Sequence, residues 1–118
     1  MKGIWLGLSE LEWGYLERKV DGIGLDRYIF YLWGKWCIKI LSNEWGVYRR
    51  GLYRFKEVRD IKRVLYKYRI LEIEDVIYEI LRVDSEYLGV SIGELLHYMI
   101  YCDMMGDGVG GECVLEVS

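Results

Sequence analysis

The chain has 118 residues and no Ala, Pro, Thr or Gln, with a single Asn and a single His. The codons of Ala, Pro and Thr share C in the middle position, and those of Gln, His and Pro begin with C. The bias therefore points to a coding strand poor in C rather than to selection on the protein, which fits a small viral or mobile genome or an artificial gene. Missing Gln and scarce Asn beside abundant charge also suit a hyperthermophile. Cysteine is scarce: Cys37, Cys102 and Cys113 show no CxxC spacing, which argues against a metal knuckle or a redox pair. One bridge, Cys102–Cys113, is conceivable, and an intracellular setting argues against it. With one histidine, a zinc site lacks ligand partners. Cys102 follows His97 by five residues, about 140° around a helix, so the two do not pair. His97 itself reads as a solvated side chain on the polar side of its helix.

Long apolar runs are also missing. The most apolar stretch, residues 28–41, carries Lys35 and Lys39 and reads as core rather than as a membrane span. The opening MKGIWLGLSE is too short an apolar run for a signal peptide. The expectation is a cytoplasmic protein with no membrane association, inside the host cell if the gene is viral. Its length and its 53% hydrophobic content are those of one globular domain, residues 1–118, with a core that needs no staples.

What is present is an uneven distribution of charge. Residues 49–69 hold nine Arg and Lys against two acids, Glu57 and Asp60. The 48 residues before them carry six of each sign, and the 49 after them carry one base, Arg82, against eleven acids. A segment so basic points to a polyanion or to the chain's own acidic half.

Taken in order, Ser9 and Glu12 form an S-x-x-E capping box that predicts a helix from about Glu10 to Val20, ended by Asp21-Gly22. Residues 26–55 are ambiguous, with any strands expected between about Tyr28 and Tyr53. Trp36, Ile38 and Ile40 alternate as in a strand, whereas Trp33, Trp36, Cys37, Ile40 and Leu41 sit at helical spacing. The aromatic and β-branched content, Gly34, and the punctuation at Ser42-Asn43 and Gly46 favour a small antiparallel sheet of two or three strands. The run WGKWCIKI (33–40), followed by RRGLYRF (49–55), resembles the three-stranded-sheet-plus-helix DNA-binding domains of the AP2/integrase type. That resemblance rests on Trp33, Gly34, Lys35, Trp36, Ile40 and the Gly51-x-Tyr53 turn, and it implies that Trp33 and Lys35 contact a DNA groove.

A helix is predicted from Phe55 to Tyr68. Val58, Ile61, Leu65 and Tyr68 form its apolar stripe, and Lys56, Arg59, Arg63 and Lys67 a basic stripe opposite, widened by Lys62 and Arg69. Several cations on one rigid face are what phosphate binding requires. Tyr48, Tyr53 and Phe55 beside Arg49, Arg50 and Arg54 add rings able to stack on bases. The next helix, about Ile73 to Val83, has a core stripe of Ile73, Val76, Ile77, Ile80 and Leu81. Its acids Glu72, Glu74, Asp75 and Glu79 could pair with the basic helix instead of leaving it open to a ligand.

Residues 86–100, EYLGVSIGELLHYMI, resemble the core of a helix-turn-helix through Ser85, Leu88, Gly89, Val90, Ser91, Leu95 and Met99. Ser91 and Glu94 form a second capping box, predicting a helix from Ile92 to about Met104 with Ile92, Leu95, Leu96, Met99 and Ile100 inward. Its outer side would present Glu94, His97, Tyr98, Tyr101 and Asp103. With no Lys or Arg there, this copy is expected to make protein contacts rather than to read bases. Residues 112–117 read as a terminal strand or wing after the glycine-rich 106–111. The latter spells GxGxxG but lacks the strand–helix context of a dinucleotide site. No catalytic constellation emerges.

The sequence thus predicts an α+β fold, mainly helical, with a small antiparallel sheet in the N-terminal half and a helix-turn-helix-like C-terminal part. It predicts a non-enzymatic nucleic-acid-binding protein, DNA favoured, without cofactor or metal. Arg49, Arg50, Arg54, Lys56, Arg59, Arg63 and Lys67 would grip the backbone, with Trp33, Lys35 and Tyr48 nearby. The alternative is an interaction or structural protein, homo-oligomeric through its acidic C-terminal half.

Overall fold

The computed structural model describes residues 1–42 and 46–106. The expected strand at 112–117, the glycine run beyond Gly106 and the Cys113 half of the conceivable bridge lie outside the described residues. The order of elements is β1 (Lys2–Leu8), α1 (Glu10–Ile23), α2 (Leu25–Leu32), a π-helical turn (Trp33–Cys37), α3 (Ile38–Ser42), α4 (Val47–Lys62), a 3₁₀ turn (Arg63–Leu65), β2 (Lys67–Ile73), α5 (Asp75–Leu88) and α6 (Ile92–Met105). The fold is mainly helical with one two-stranded antiparallel sheet, and the described residues share one hydrophobic core. Among the described residues, no helix is long and apolar enough to cross a membrane.

The sheet is not where the sequence placed it. It joins the amino terminus to residues 67–73, in the register Lys2↔Ile73, Trp5↔Ile70 and Leu8↔Lys67. Ile4, Leu6 and Leu8 alternate inward onto the core, as a half-buried strand requires. At Gly7 a Cβ would lie 2.3 Å from the ring of the cross-strand Tyr68, which covers the glycine, so a larger residue there would have to push that ring aside.

Residues 28–53, expected to be strands, are helical over 28–42 and 47–53. Tyr28, Ile29, Leu32, Trp36, Cys37 and Ile40 are all buried on one side of the α2–π–α3 rod, a helical recurrence that the period-2 reading missed. Strand alternation would also have buried Ile38, which is 48% exposed. The extra residue of the π turn rephases the rod so that Trp36 and Cys37 both face inward.

Both capping boxes form. Ser9 Oγ accepts from the Glu12 amide and Ser91 Oγ from the Glu94 amide, and each Glu returns the bond to its cap. Helix α1 runs past Asp21-Gly22 and stops at Gly24, whose φ of 90° only glycine adopts freely. Helix α6 is the axis of the molecule. Every residue from Gly93 to Ile100 is buried, and α6 packs on β1, α1, α2, α4 and α5. Glu94, His97, Tyr98 and Asp103, expected on its outer side, are therefore interior. Gly93 permits the closest approach, since a Cβ there would sit 2.9 Å from the Trp5 carbonyl oxygen.

Candidate nucleic-acid interface

Helix α4 begins eight residues before the expected start, after Gly46 in the left-handed region (φ 66°). That start sets its phase. Gly51, Leu52, Phe55 and Arg59 are buried, a recurrence of +1, +3 and +4. The stripe expected inside is largely outside, with Ile61 80% and Leu65 72% exposed. Tyr68, expected to close that stripe, belongs to β2. The basic side is correspondingly split. Arg50 and Arg54 project from the exposed face of α4, and Lys62 and Arg63 stand at its end. None of these four has an ion pair or side-chain hydrogen bond among the described residues.

The other expected contact residues are engaged within the molecule. Arg49 donates from Nε to the Ile40 carbonyl (3.2 Å) and from Nη2 to the Leu41 carbonyl (2.6 Å), closing the end of α3. Lys56 lies between Glu94 (3.5 Å) and Asp60 (3.3 Å), and these carboxylates, Glu94 foremost, raise its amine above the ordinary lysine range. Lys67 belongs to β2 and pairs with Glu10 at 2.6 Å; its hydrogen bond holds the Glu10 carboxyl below its ordinary range. Arg69 pairs with Glu17 at 3.0 Å. Trp33, expected at a groove, points its Nε1 inward onto Asp84 Oδ2 at 2.7 Å. Lys35 donates to the Tyr31 hydroxyl and lies 3.9 Å from Asp103. Tyr48 is half-buried, and its carbonyl accepts from the Tyr98 hydroxyl. The acids expected to cover the basic helix mostly do not. Glu79 pairs with Arg82 of its own helix, and Asp75 pairs with the amino terminus.

Arg59 is the largest correction. Expected on the open stripe, it is 9% exposed and joins a buried relay. Its Nε donates to His97 Nδ1 at 2.9 Å, and His97 Nε2 lies 2.7 Å from Glu12 Oε2. An arginine N–H can only donate, so Nδ1 must accept, the proton sits on Nε2, and that N–H donates to Glu12. The imidazole is neutral and bridges two opposite charges. Burial is the main reason the His97 pKa falls below its ordinary value, and Arg59 adds to it against the opposing Glu12 contact. Burial raises the Glu12 carboxyl, but the hydrogen bonds from His97 and from Ser9 outweigh it, leaving Glu12 below its ordinary value.

A second buried carboxylate, Asp103 on α6, gathers the N-terminal helices. Oδ2 accepts from the hydroxyls of Tyr15 (2.8 Å) and Tyr28 (2.7 Å), and Oδ1 from Tyr31 and Trp36 Nε1 (each 3.3 Å). Burial, then the bond to Asp103, raises the Tyr15 and Tyr28 pKa values well above the phenol range. The π turn thus sends one indole N–H to Asp103 and another, from Trp33, to Asp84. The Cys37 thiol also faces Asp84 at 3.5 Å, and burial together with that carboxylate raises its pKa.

Sequence reasoning missed His97, Asp103 and Glu12 as interior groups. One signal was available: residues 92–105 contain no Lys or Arg, and apolar residues surround the helix rather than forming a stripe. Among the described residues, no group of three His, Cys, Asp or Glu side chains is placed to hold a metal ion. No protein-family model, no curated protein and no solved structure matches the chain.

Proposed function

We propose that this chain is a small intracellular nucleic-acid-binding protein, DNA favoured, that holds the phosphate backbone along the exposed side of α4. The observation that carries this reading is the set of four solvent-facing cations without carboxylate partners among the described residues: Arg50, Arg54, Lys62 and Arg63. Arg50 and Arg54 lie about 40° apart on one side of the helix, and Lys62 and Arg63 stand further round it at its end, about 18 Å of rise from Arg50. Tyr53, 42% exposed between Arg50 and Arg54, adds a ring at the same surface. The helix-turn-helix-like pair α5–α6 serves as scaffold in this reading, because α6 is interior. Affinity is electrostatic and weakly sequence-dependent.

The test is a salt titration of binding to duplex and single-stranded DNA by fluorescence anisotropy. Four phosphate contacts predict a slope of log K against log salt of about −3 to −4 on duplex. Arg50→Glu/Arg54→Glu should abolish binding while leaving the circular dichroism spectrum unchanged. No binding at low salt, or binding that the double variant retains, refutes the proposal.

One observation favours a second reading, a self-associating interaction protein. Ile61, Val64 and Leu65 are 80%, 83% and 72% exposed at one end of α4, where a solitary monomer gains nothing from them. Light scattering that gives a dimer, reverting to monomer in Ile61→Lys/Leu65→Lys, would support it.

A further inference from the structure

Between the start of α1, the end of α4 and the middle of α6 lies a cavity of about 290 Å³. Arg59, Lys62, Tyr66 and His97 line its polar side, and Phe55, Leu65 and Met104 its apolar walls. Arg59 is more than nine-tenths buried, yet its guanidinium is incompletely used. Nε donates to His97, and Nη2 reaches the Gly7 carbonyl only at 3.5 Å, the outer limit of a hydrogen bond. Nη1 donates to no group among the described residues. A guanidinium has five donors in a rigid fork, and because no buried side-chain nitrogen or oxygen among the described residues lacks a partner, Nη1 is reached by solvent and is open to an incoming oxyanion. The nearest carboxylate is already spent, since Glu12 accepts from the Ser9 amide through Oε1 and faces His97 through Oε2. The lining therefore carries two cations against one committed carboxylate, and the exposed Lys62 at the mouth has no partner among the described residues.

We propose that this cavity binds a small organic carboxylate with an apolar body. Its carboxylate meets the open Nη positions of Arg59 and the Lys62 amine, and its apolar part lies against Phe55, Leu65 and Met104. The His97–Glu12 relay fixes the Arg59 fork in advance, which spares the ligand the cost of ordering it. The volume is at the small end of ligand cavities, so the ligand has one ring or a short chain. The site shares Lys62 with the proposed phosphate-binding set but not Arg50 or Arg54, and it does not depend on nucleic-acid binding.

The experiment uses benzoate as probe and benzyl alcohol as its uncharged counterpart, followed by amide NMR shifts of the whole protein at low salt. Benzoate should bind with a dissociation constant on the order of 1 mM. It should shift residues around Tyr66, His97 and Tyr101, while benzyl alcohol binds about tenfold more weakly or not at all. Lys62→Gln, an exposed change, should weaken benzoate several-fold. Leu65→Trp, at the mouth, should block it, so the test does not depend on the folding of an Arg59 variant. Arg50→Glu/Arg54→Glu should leave benzoate binding intact even if it abolishes DNA binding. Absence of shifts well above that concentration, equal binding of benzyl alcohol, or indifference to both Lys62→Gln and Leu65→Trp overturns the proposal.

Discussion

The relay through His97 makes a sharp energetic prediction. The two contacts of 2.9 and 2.7 Å, with the imidazole between them, hold the Arg59 and Glu12 charges in a partly desolvated interior. At a separation of roughly 7 Å and an effective dielectric of about 20, their direct attraction is about 2 kcal/mol. Removing one charge costs more than this, because the other stays buried without compensation. Arg59→Met and Glu12→Gln should each destabilise by about 3–5 kcal/mol, a large part of the 5–15 kcal/mol of a domain. Removing both leaves a neutral imidazole between neutral neighbours, so the double variant should be more stable than additivity predicts by about 2 kcal/mol. Urea unfolding followed by the fluorescence of the five tryptophans measures all four corners of the cycle. Additivity within about 0.5 kcal/mol would show that the imidazole does not couple the two charges, and the relay would be wrong.

The same groups set a pH dependence. Both His97 and Glu12 titrate below their ordinary values in the folded protein, so the unfolded chain takes up protons first on acidification. Stability should be level above about pH 6.5 and fall as pH drops through the folded values, His97 first and Glu12 below about 4.3. The chain has one histidine, so a urea midpoint unchanged between pH 7 and 5.5 would refute this. Gly93→Ala should destabilise by about 1–3 kcal/mol through overpacking on the Trp5 carbonyl, although Ala in a helix normally gains up to about 1 kcal/mol over Gly. A gain in thermal midpoint would contradict the close approach of α6 to β1. Asp103→Leu should cost about 3–5 kcal/mol in urea unfolding by stranding buried tyrosine and indole donors. Asp103→Asn, which keeps an acceptor, should cost less.

The parts of the fold written locally were legible in the sequence. The Ser9/Glu12 and Ser91/Glu94 boxes are complete within four residues, and they placed the starts of α1 and α6 correctly. Gly89, left-handed at φ 74°, closes α5 after Leu88, five residues beyond the end expected near Val83. The sheet was not legible, because it pairs residues 2–8 with 67–73 and neither half identifies its partner. KYRILEI continues the apolar periodicity of the preceding helix closely enough that only pairing with β1 makes it a strand. In 33–40, two periods coexisted, and the core's demand for Trp36 and Cys37 together decided for the helical one.

The basic segment shows why a charge count underdetermines a surface. Arg59 was assigned outward because its spacing puts it with Lys56 and Arg63 on a stripe opposite Val58, Ile61 and Leu65. Its partner, however, lies 38 residues away on α6, and the balancing carboxylate lies a further 85 residues from that partner, back on α1. Once those two side chains are in place, the guanidinium is paid for locally, and the phase of α4 can follow Leu52 and Phe55. That turns Ile61 and Leu65 outward and draws Arg59 inward, and β2 takes Lys67 to Glu10. The nine cations of residues 49–69 therefore act as different groups. Arg49, Lys56, Lys67 and Arg69 join parts of the fold, Arg59 and Lys62 line a cavity, and Arg50, Arg54, Lys62 and Arg63 are exposed without an ion pair among the described residues. A nucleic-acid interface built on the last four should lose affinity with each of them singly, and Lys67→Gln, which breaks only a surface pair, should leave it unchanged.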